Sequence, residues 1–309
     1  MTSQFFLSSM YGSLGQALLY APVAIGVYLS LRIMKKPDLT IEGTFAFGAV
    51  LSMTMLHNGH HFLPALALAL LGGAVAGLAT ALIHTKLKID GIISGLLVAL
   101  ALFSVNLAVM GRSNISAPMS LFIFEPMRER LLAAGVQSFD ALQWSYIIVG
   151  AIVLAAVVLL LYLLYNTSFG LSIRATGDNE RMACSNGINT DSRKIASLMI
   201  SNAITGVAGA LVAQQQSGAD VTIGTGTLII GLAALVVGEI ITPKNANMLT
   251  RFLFIALGSF IYFTCISLVL MTDLPTHWTR LLMAVFTLVA LCIPKLRQLW
   301  SNKRKGVLV

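Results

Sequence analysis

Nine mostly apolar stretches recur along this 309-residue chain, most close to the roughly 20 residues an α-helix needs to cross a bilayer. They lie near Leu14–Leu31, Leu39–Leu56, Leu63–Ile83, Gly91–Met110, Trp144–Leu164, Ile195–Ala213, Thr225–Ile241, Leu249–Met271 and Trp278–Ile293. Only 10% of the residues are charged against 57% hydrophobic, and mean hydropathy is +0.86. That leaves too few polar side chains to cover a soluble globule. The sequence predicts an all-α integral membrane protein: one transmembrane domain over residues 1–309 with about nine helices.

Charge placement orients it. With the N-terminus outside, 16 of the 20 lysines and arginines fall in inner segments, from Arg32, Lys35 and Lys36 to Lys303, Arg304 and Lys305. Arg112, Arg128, Arg130 and Arg280 fall outside. The positive-inside rule favours this orientation over its reverse, so the tail 295–309 is expected in the cytoplasm. The formal net charge of +8 thus reads as membrane sidedness, and no nucleic-acid partner is expected. Met1–Gly12 lacks a basic n-region, and the apolar stretch after it is too long for a cleavable signal, so it reads as an external lead-in.

Two connections stand out. The outer loop 111–143 carries Glu125, Arg128, Glu129, Arg130 and Asp140 around a predicted short helix, Pro126–Ala134. The inner segment 166–194 is the more elaborate. Thr176, Asp178 and Glu180 stand where the first turn of a helix wants acceptors and negative charge. Arg181-Met182-Ala183-Cys184 continues that turn, Asn186-Gly187 supplies a left-handed stop, and Asn189-Thr190-Asp191 caps the next span. The expected product is a short surface helix, suited to docking or simply a capped loop.

Within the spans, Asp38 and Glu42 are spaced i, i+4 and share one helical face at the inner mouth of the second span. Ser104 and Asn106 in the fourth span, and Ser201, Asn202 and Thr205 in the sixth, must face protein or a water-filled cavity rather than lipid. Asp38, Thr40, Glu42, Ser104, Asn106, Asn202, Gly226 and Gly231 are the candidate residues of a translocation path, with capping and helix–helix bonding as the alternative role for the polar ones. Gly73/Gly77 and Gly91/Gly95 have the spacing of close helix contacts. Gly224, Gly226 and Gly231 suit a broken helix, after an outer polar segment Gln214–Asp220.

Cys184, Cys265 and Cys292 lack the spacing of a disulfide framework or zinc site. His57, His60 and His61 cluster externally without acidic or thiol ligands nearby, so no metal site is assigned. The chain has no phosphate-binding G-x-x-x-x-G-K-[ST] loop and no nucleophile or paired-carboxylate constellation. It reads as a transport subunit without enzymatic activity or cofactor of its own.

Three motifs carry a family resemblance. Gly170-Leu-Ser-Ile-Arg-Ala-Thr-Gly-Asp-Asn-Glu-Arg-Met-Ala183, continuing through Gly187-Ile-Asn-Thr-Asp191, resembles the coupling-helix region of the ABC-transporter permeases that include the branched-chain amino acid importers. Pro37–Ala49 is similar to that family's entry into its second helix, and Gly224–Glu239 to its late glycine-rich helix. The Asp38-Leu-Thr-x-Glu42 pattern and Phe103–Arg112 resemble a subgroup of single-permease systems associated with a lipoprotein binding protein and aromatic or other amino-acid uptake.

The resemblance implies a type II importer-like fold in a bacterial inner membrane. It assigns Arg174, Thr176, Asp178, Asn179, Glu180, Arg181, Met182, Ala183 and Gly187 to contact with a cytoplasmic ATPase present in two copies. ATP and magnesium would be bound in that ATPase, with a second copy of the permease and an external substrate-binding lipoprotein as further partners. A different class of transporter, an ion-coupled carrier working alone, would be expected to show buried charges mid-span and matching halves. Neither is conspicuous here.

Overall fold

The computed structural model describes residues 3–243 and 245–270 and, beyond them, Leu281, Ala284, Val285, Leu288, Val289 and Cys292. Apart from those positions, the predicted ninth span and the tail lie outside the described residues. Eleven α-helices occupy the rest. Eight match predicted spans: α1 (Ser3–Tyr28), α2 (Thr40–His57), α3 (Phe62–Lys86), α4 (Gly91–Met110), α6 (Ser138–Tyr165), α9 (Thr190–Gln215), α10 (Thr227–Ile241) and α11 (Met248–Leu270). Three are short and lie between spans: α5 (Glu125–Ala133), α7 (Ser168–Asp178) and α8 (Glu180–Ser185). The predicted Pro126–Ala134 helix is α5.

Among the described residues, six helices are long and apolar enough to cross a membrane unaided: α1 with its continuation to Ile33, α3, α4, α6, α9 and α11. The helices α2 and α10 are different. The 15-residue α10 is short, and the 18-residue α2 carries Glu42, three threonines and Ser52. Position explains α2's polarity. It is enclosed by α3, α4 and α9, with Ile41, Phe45, Ala49, Met53 and Leu56 inaccessible to solvent. A helix surrounded by protein can satisfy polar groups that lipid would leave orphaned.

The centre is closed by small residues rather than interlocking large ones. In lipid, tails compete for every apolar surface, so helices associate through close approach and van der Waals contact. A methyl group on Gly48 of α2 would fall on the backbone of Gly206 of α9, and on Gly73 and Gly77 of α3 it would strike the α9 carbonyls of Asn202 and Leu198. Gly95 likewise seats α4 on the start of α2, with the Leu39 nitrogen 2.9 Å from its would-be Cβ. Gly91 has no such neighbour inside 3.8 Å, so only one of that predicted glycine pair makes a tight contact.

At its C-terminal end α1 passes into a π-helical turn, Leu29–Ile33, where Ser30 donates back to the Val27 carbonyl at 3.1 Å. At the opposite end of the bundle a two-residue antiparallel pair, β1 (Asn114–Ile115) with β2 (Ala219–Asp220), ties the loop after α4 to the segment after α9.

Candidate functional site

The inner segment folds as three capped helices in sequence. Thr167 accepts from the Gly170 amide at 3.3 Å and starts α7. Asn179, extended at φ −151°, breaks the chain, and its side chain accepts from the Met182 amide at 3.1 Å to start α8. The Ala183 carbonyl accepts from Ile188 at 3.1 Å around left-handed Gly187 (φ +78°), closing α8. Asn189 then accepts from Ser192 at 3.1 Å and starts α9.

One expectation is corrected. Thr176 and Asp178 do not open the short helix; they lie in the last turn of α7, where the Thr176 hydroxyl donates to the Ser172 carbonyl at 2.8 Å. The reason is amphipathic continuity. Gly170, Ile173 and Thr176 are buried at three-residue spacing, and Gly177 lies so close to the Ile33 carbonyl that only hydrogen fits there. Burial holds α7 helical through Asp178, so the break falls at Asn179.

This unit is anchored to the membrane helices by charge. Lys194 of α9 binds the Glu180 carboxylate, Lys35 reaches Asp178 at 3.0 Å, and Arg193 stacks over Phe169 with 4.4 Å to the ring centroid. The hydrogen bond from Lys194 pulls the Glu180 pKa below its usual range. Ala183 and Thr176 are buried, whereas Arg174, Asp178, Asn179, Glu180, Arg181, Met182 and Gly187 are exposed. Met182 stands out, an apolar side chain 52% exposed on a six-residue helix.

Deeper in, α2, α3 and α9 share a polar cluster. Asp38 is 3% exposed; one carboxylate oxygen accepts from the Thr40 amide at 2.9 Å, starting α2, and the other from Asn202 Nδ2 at 2.6 Å. Asn202 also donates to the Leu198 carbonyl and accepts from Thr44 at 2.8 Å. Thr40 shares a 2.6 Å hydrogen bond with Thr80 of α3. Asp38, Thr40 and Asn202 are thus brought together. Thr44 and Thr80 join them, although a lone threonine in an apolar helix gives no sequence signal of its partner.

Glu42, one turn on, faces a different helix. Its Oε1 accepts from the Gly226 amide at 3.1 Å, at the N-terminus of α10, where unpaired amides and the helix dipole favour a carboxylate. Gly226 is left-handed at φ +83°, and Gly224 is pressed against the Glu42 carbonyl. These glycines do not break a helix as expected: Gly226 caps the start of α10 after a turn, and α10 runs unbroken through Gly231. Gly231 instead packs on α1, its would-be Cβ 2.9 Å from Val27.

The α4 pair stays apart. Ser104 is exposed, and Asn106, 1% exposed, has a side-chain oxygen without a partner among the described residues. Gln214, expected in an outer polar segment, lies inside α9 and is inaccessible; it donates to Ser52 at 3.1 Å and accepts from the Ile123 amide at 2.9 Å. The helix simply runs further than its apolar residues do. Of the outer histidines, His57 is within 2.8 Å of both the Ser116 carbonyl and Arg112.

Comparison with known proteins places this arrangement. Residues 9–291 match the family model described as branched-chain amino acid transport system / permease component. The chain is 36% identical over 256 residues to the tyrosine transport system permease protein of Clostridioides difficile (strain R20291), covering 83% of this chain and 81% of that one. It is 26% identical over 234 residues to the ribose import permease protein of Escherichia coli (strain K12), covering 76% and 70%. It is 25% identical over 257 residues to an autoinducer 2 import system permease protein of Yersinia pseudotuberculosis (strain YPIII), covering 83% and 68%. No solved structure matches significantly. The chain, a multi-pass inner-membrane transport subunit and not an enzyme, belongs to the branched-chain amino acid type family of ABC-transporter permeases.

Proposed function

We propose that this chain is the membrane-spanning half of an ATP-driven importer for an amino acid, delivered by an external binding lipoprotein. Two copies face each other, with nine spans each, N-terminus outside and tail in the cytoplasm. One observation carries the coupling part of this reading. The helix α8 is rigidly capped at both ends, tied to α9 by Glu180–Lys194, and presents exposed Arg181 and Met182. A short, pre-ordered helix with an apolar side chain offered to the cytoplasm suits insertion into a groove of an ATPase.

ATP closure would move α8, and α7 and α9 would carry that movement to the cluster around Asp38 and Asn202 and to the Glu42–Gly226 contact, switching the cavity between two sides. Candidate path residues in this scheme are Asp38, Thr40, Glu42, Ser104, Asn106, Asn202, Gly226 and Gly231. An aromatic amino acid is the preferred substrate, supported by the name of the 36%-identical relative. ATP and magnesium bind in the partner ATPase.

The test is co-purification from native membranes. Wild-type chain should bring down an ATPase, and a chain with Asp178–Ala183 replaced by glycine and serine should elute as a folded protein without it. An ATPase retained by that variant would refute docking through α8. Substrate uptake by the permease alone in liposomes with an ion gradient would instead favour a secondary transporter.

A further inference from the structure

At the inner ends of α1, α6 and α11 a cleft of about 630 Å³ opens against α7, with Tyr28, Arg32, Tyr162, Asn166, Arg174 and Arg251 in its lining. A smaller cavity of about 230 Å³ shares Tyr28 and Arg251 with it and adds Glu239. The local charges do not cancel. Arg32, Lys35, Arg174 and Arg251 stand against Glu239 and Asp178, and both carboxylates are already taken: Glu239 by the Arg32 fork, 2.8 Å at Nε, and Asp178 by Lys35 at 3.0 Å. Arg251 donates Nε to the Ala246 carbonyl at 3.2 Å. Among the described residues, Arg174 has no ion-pair or hydrogen-bond partner. Of the three guanidiniums that line the cleft, Arg174 and Arg251 are therefore left without a carboxylate among the described residues.

The helices that supply Tyr162 and Arg251 also carry exposed leucines one or two turns further from the cleft, Leu159 and Leu160 on the first and Leu253 and Leu257 on the second. Arginine forks match phosphate oxygens, and exposed leucines further along the same helices suit acyl chains. A basic pocket between membrane helices on the cytoplasmic side is where anionic headgroups are recognised.

We propose that this cleft binds the phosphate headgroup of an anionic phospholipid of the inner leaflet, held by Arg174 and Arg251 with the Tyr28 and Tyr162 hydroxyls beside it. The proposal rests on the orientation above only for the choice of leaflet; binding itself can be read in detergent, independently of ATPase coupling.

The experiment is native mass spectrometry of the detergent-purified full-length chain with phosphatidylglycerol, phosphatidylcholine or inorganic phosphate. Two guanidiniums at about 1 kcal/mol each predict about thirtyfold preference for phosphatidylglycerol over phosphatidylcholine. The Arg174→Gln/Arg251→Gln double variant should lose it, whereas Lys88→Gln, at another inner connection, should retain it. Unchanged elution volume and retention by Arg174→Lys/Arg251→Lys separate lost charge from lost fold. Displacement of the lipid by millimolar phosphate would keep the phosphate chemistry but assign a soluble anion as the occupant. Equal retention of the two lipids, or an undiminished adduct in the double variant, would overturn the proposal.

Discussion

Asp38 and Asn202 meet at 2.6 Å in a part of the protein that neither water nor lipid reaches. One residue starts α2 and the other sits mid-way along α9, so a single contact fixes the relative height of the two helices. Removing one partner leaves the other buried and unsatisfied. Asn202→Leu should cost about 1–3 kcal/mol, read as an earlier unfolding midpoint in a detergent series. Asp38→Asn, which keeps a hydrogen-bonding group in place, should cost less. A milder loss for Asn202→Leu than for Asp38→Asn would show that the contact does not fix the helices.

The glycine crossings give a contrast of sign. Gly48→Ala drives a methyl group into the Gly206 backbone and should destabilise by about 1–3 kcal/mol, as overpacking does. Gly91→Ala meets nothing inside 3.8 Å and should be neutral or stabilising by about 0.4–1 kcal/mol. Melting curves of the two variants settle this, and similar shifts would refute the crossing geometry.

Acid should loosen the attachment of α8 to α9. The Lys194 hydrogen bond holds the Glu180 pKa below the usual glutamate range. A depressed carboxylate contributes its stabilisation above the unfolded pKa and loses it as pH falls through the folded one. Protection of α8 from hydrogen exchange should therefore be flat near neutrality and decline below about pH 4.5, the ordinary glutamate range. Glu180→Gln should show reduced protection at neutral pH and lack that decline.

Cys184 offers a test of sidedness. It is an exposed thiol on α8. In a Cys265→Ser/Cys292→Ser background, a membrane-impermeant maleimide should label it in inside-out vesicles and spare it in intact cells. Labelling in intact cells would reverse the topology.

Helix capping supplies a graded probe of α8 itself. Asn179→Ala removes the acceptor for the Met182 amide and should weaken the short helix by about 1 kcal/mol, whereas Asn179→Asp or Asn179→Ser should not. The expected readout is lower ATPase stimulation by transporters carrying Asn179→Ala alone. Equal stimulation across all three would dissociate α8 order from coupling.

The helices themselves were legible because lipid imposes length and apolarity on each one separately. The glycine pair at Gly73 and Gly77 could be read for the same reason, since small residues recur on one face. What the sequence did not disclose was pairing. Glu42 reaches an amide 184 positions away, and nothing in its own helix says which terminus it will cap. Gln214 looked like the start of a polar loop, yet Ser52 and Ile123 enclose it. Thr176 and Asp178 carried cap chemistry but were overruled by the burial of Gly170, Ile173 and Thr176 itself and by the close approach of Gly177 to Ile33. Local preference yielded to packing in each case.

The crossings at Gly48–Gly206 and Gly73–Asn202 place main chain against main chain, with no side chains between them to change rotamer. Elements joined that way have no slack to slide or tilt past one another, so α2, α3 and α9 form a keel that can only travel whole. In the proposed importer, that block is expected to move as one piece during a transport stroke.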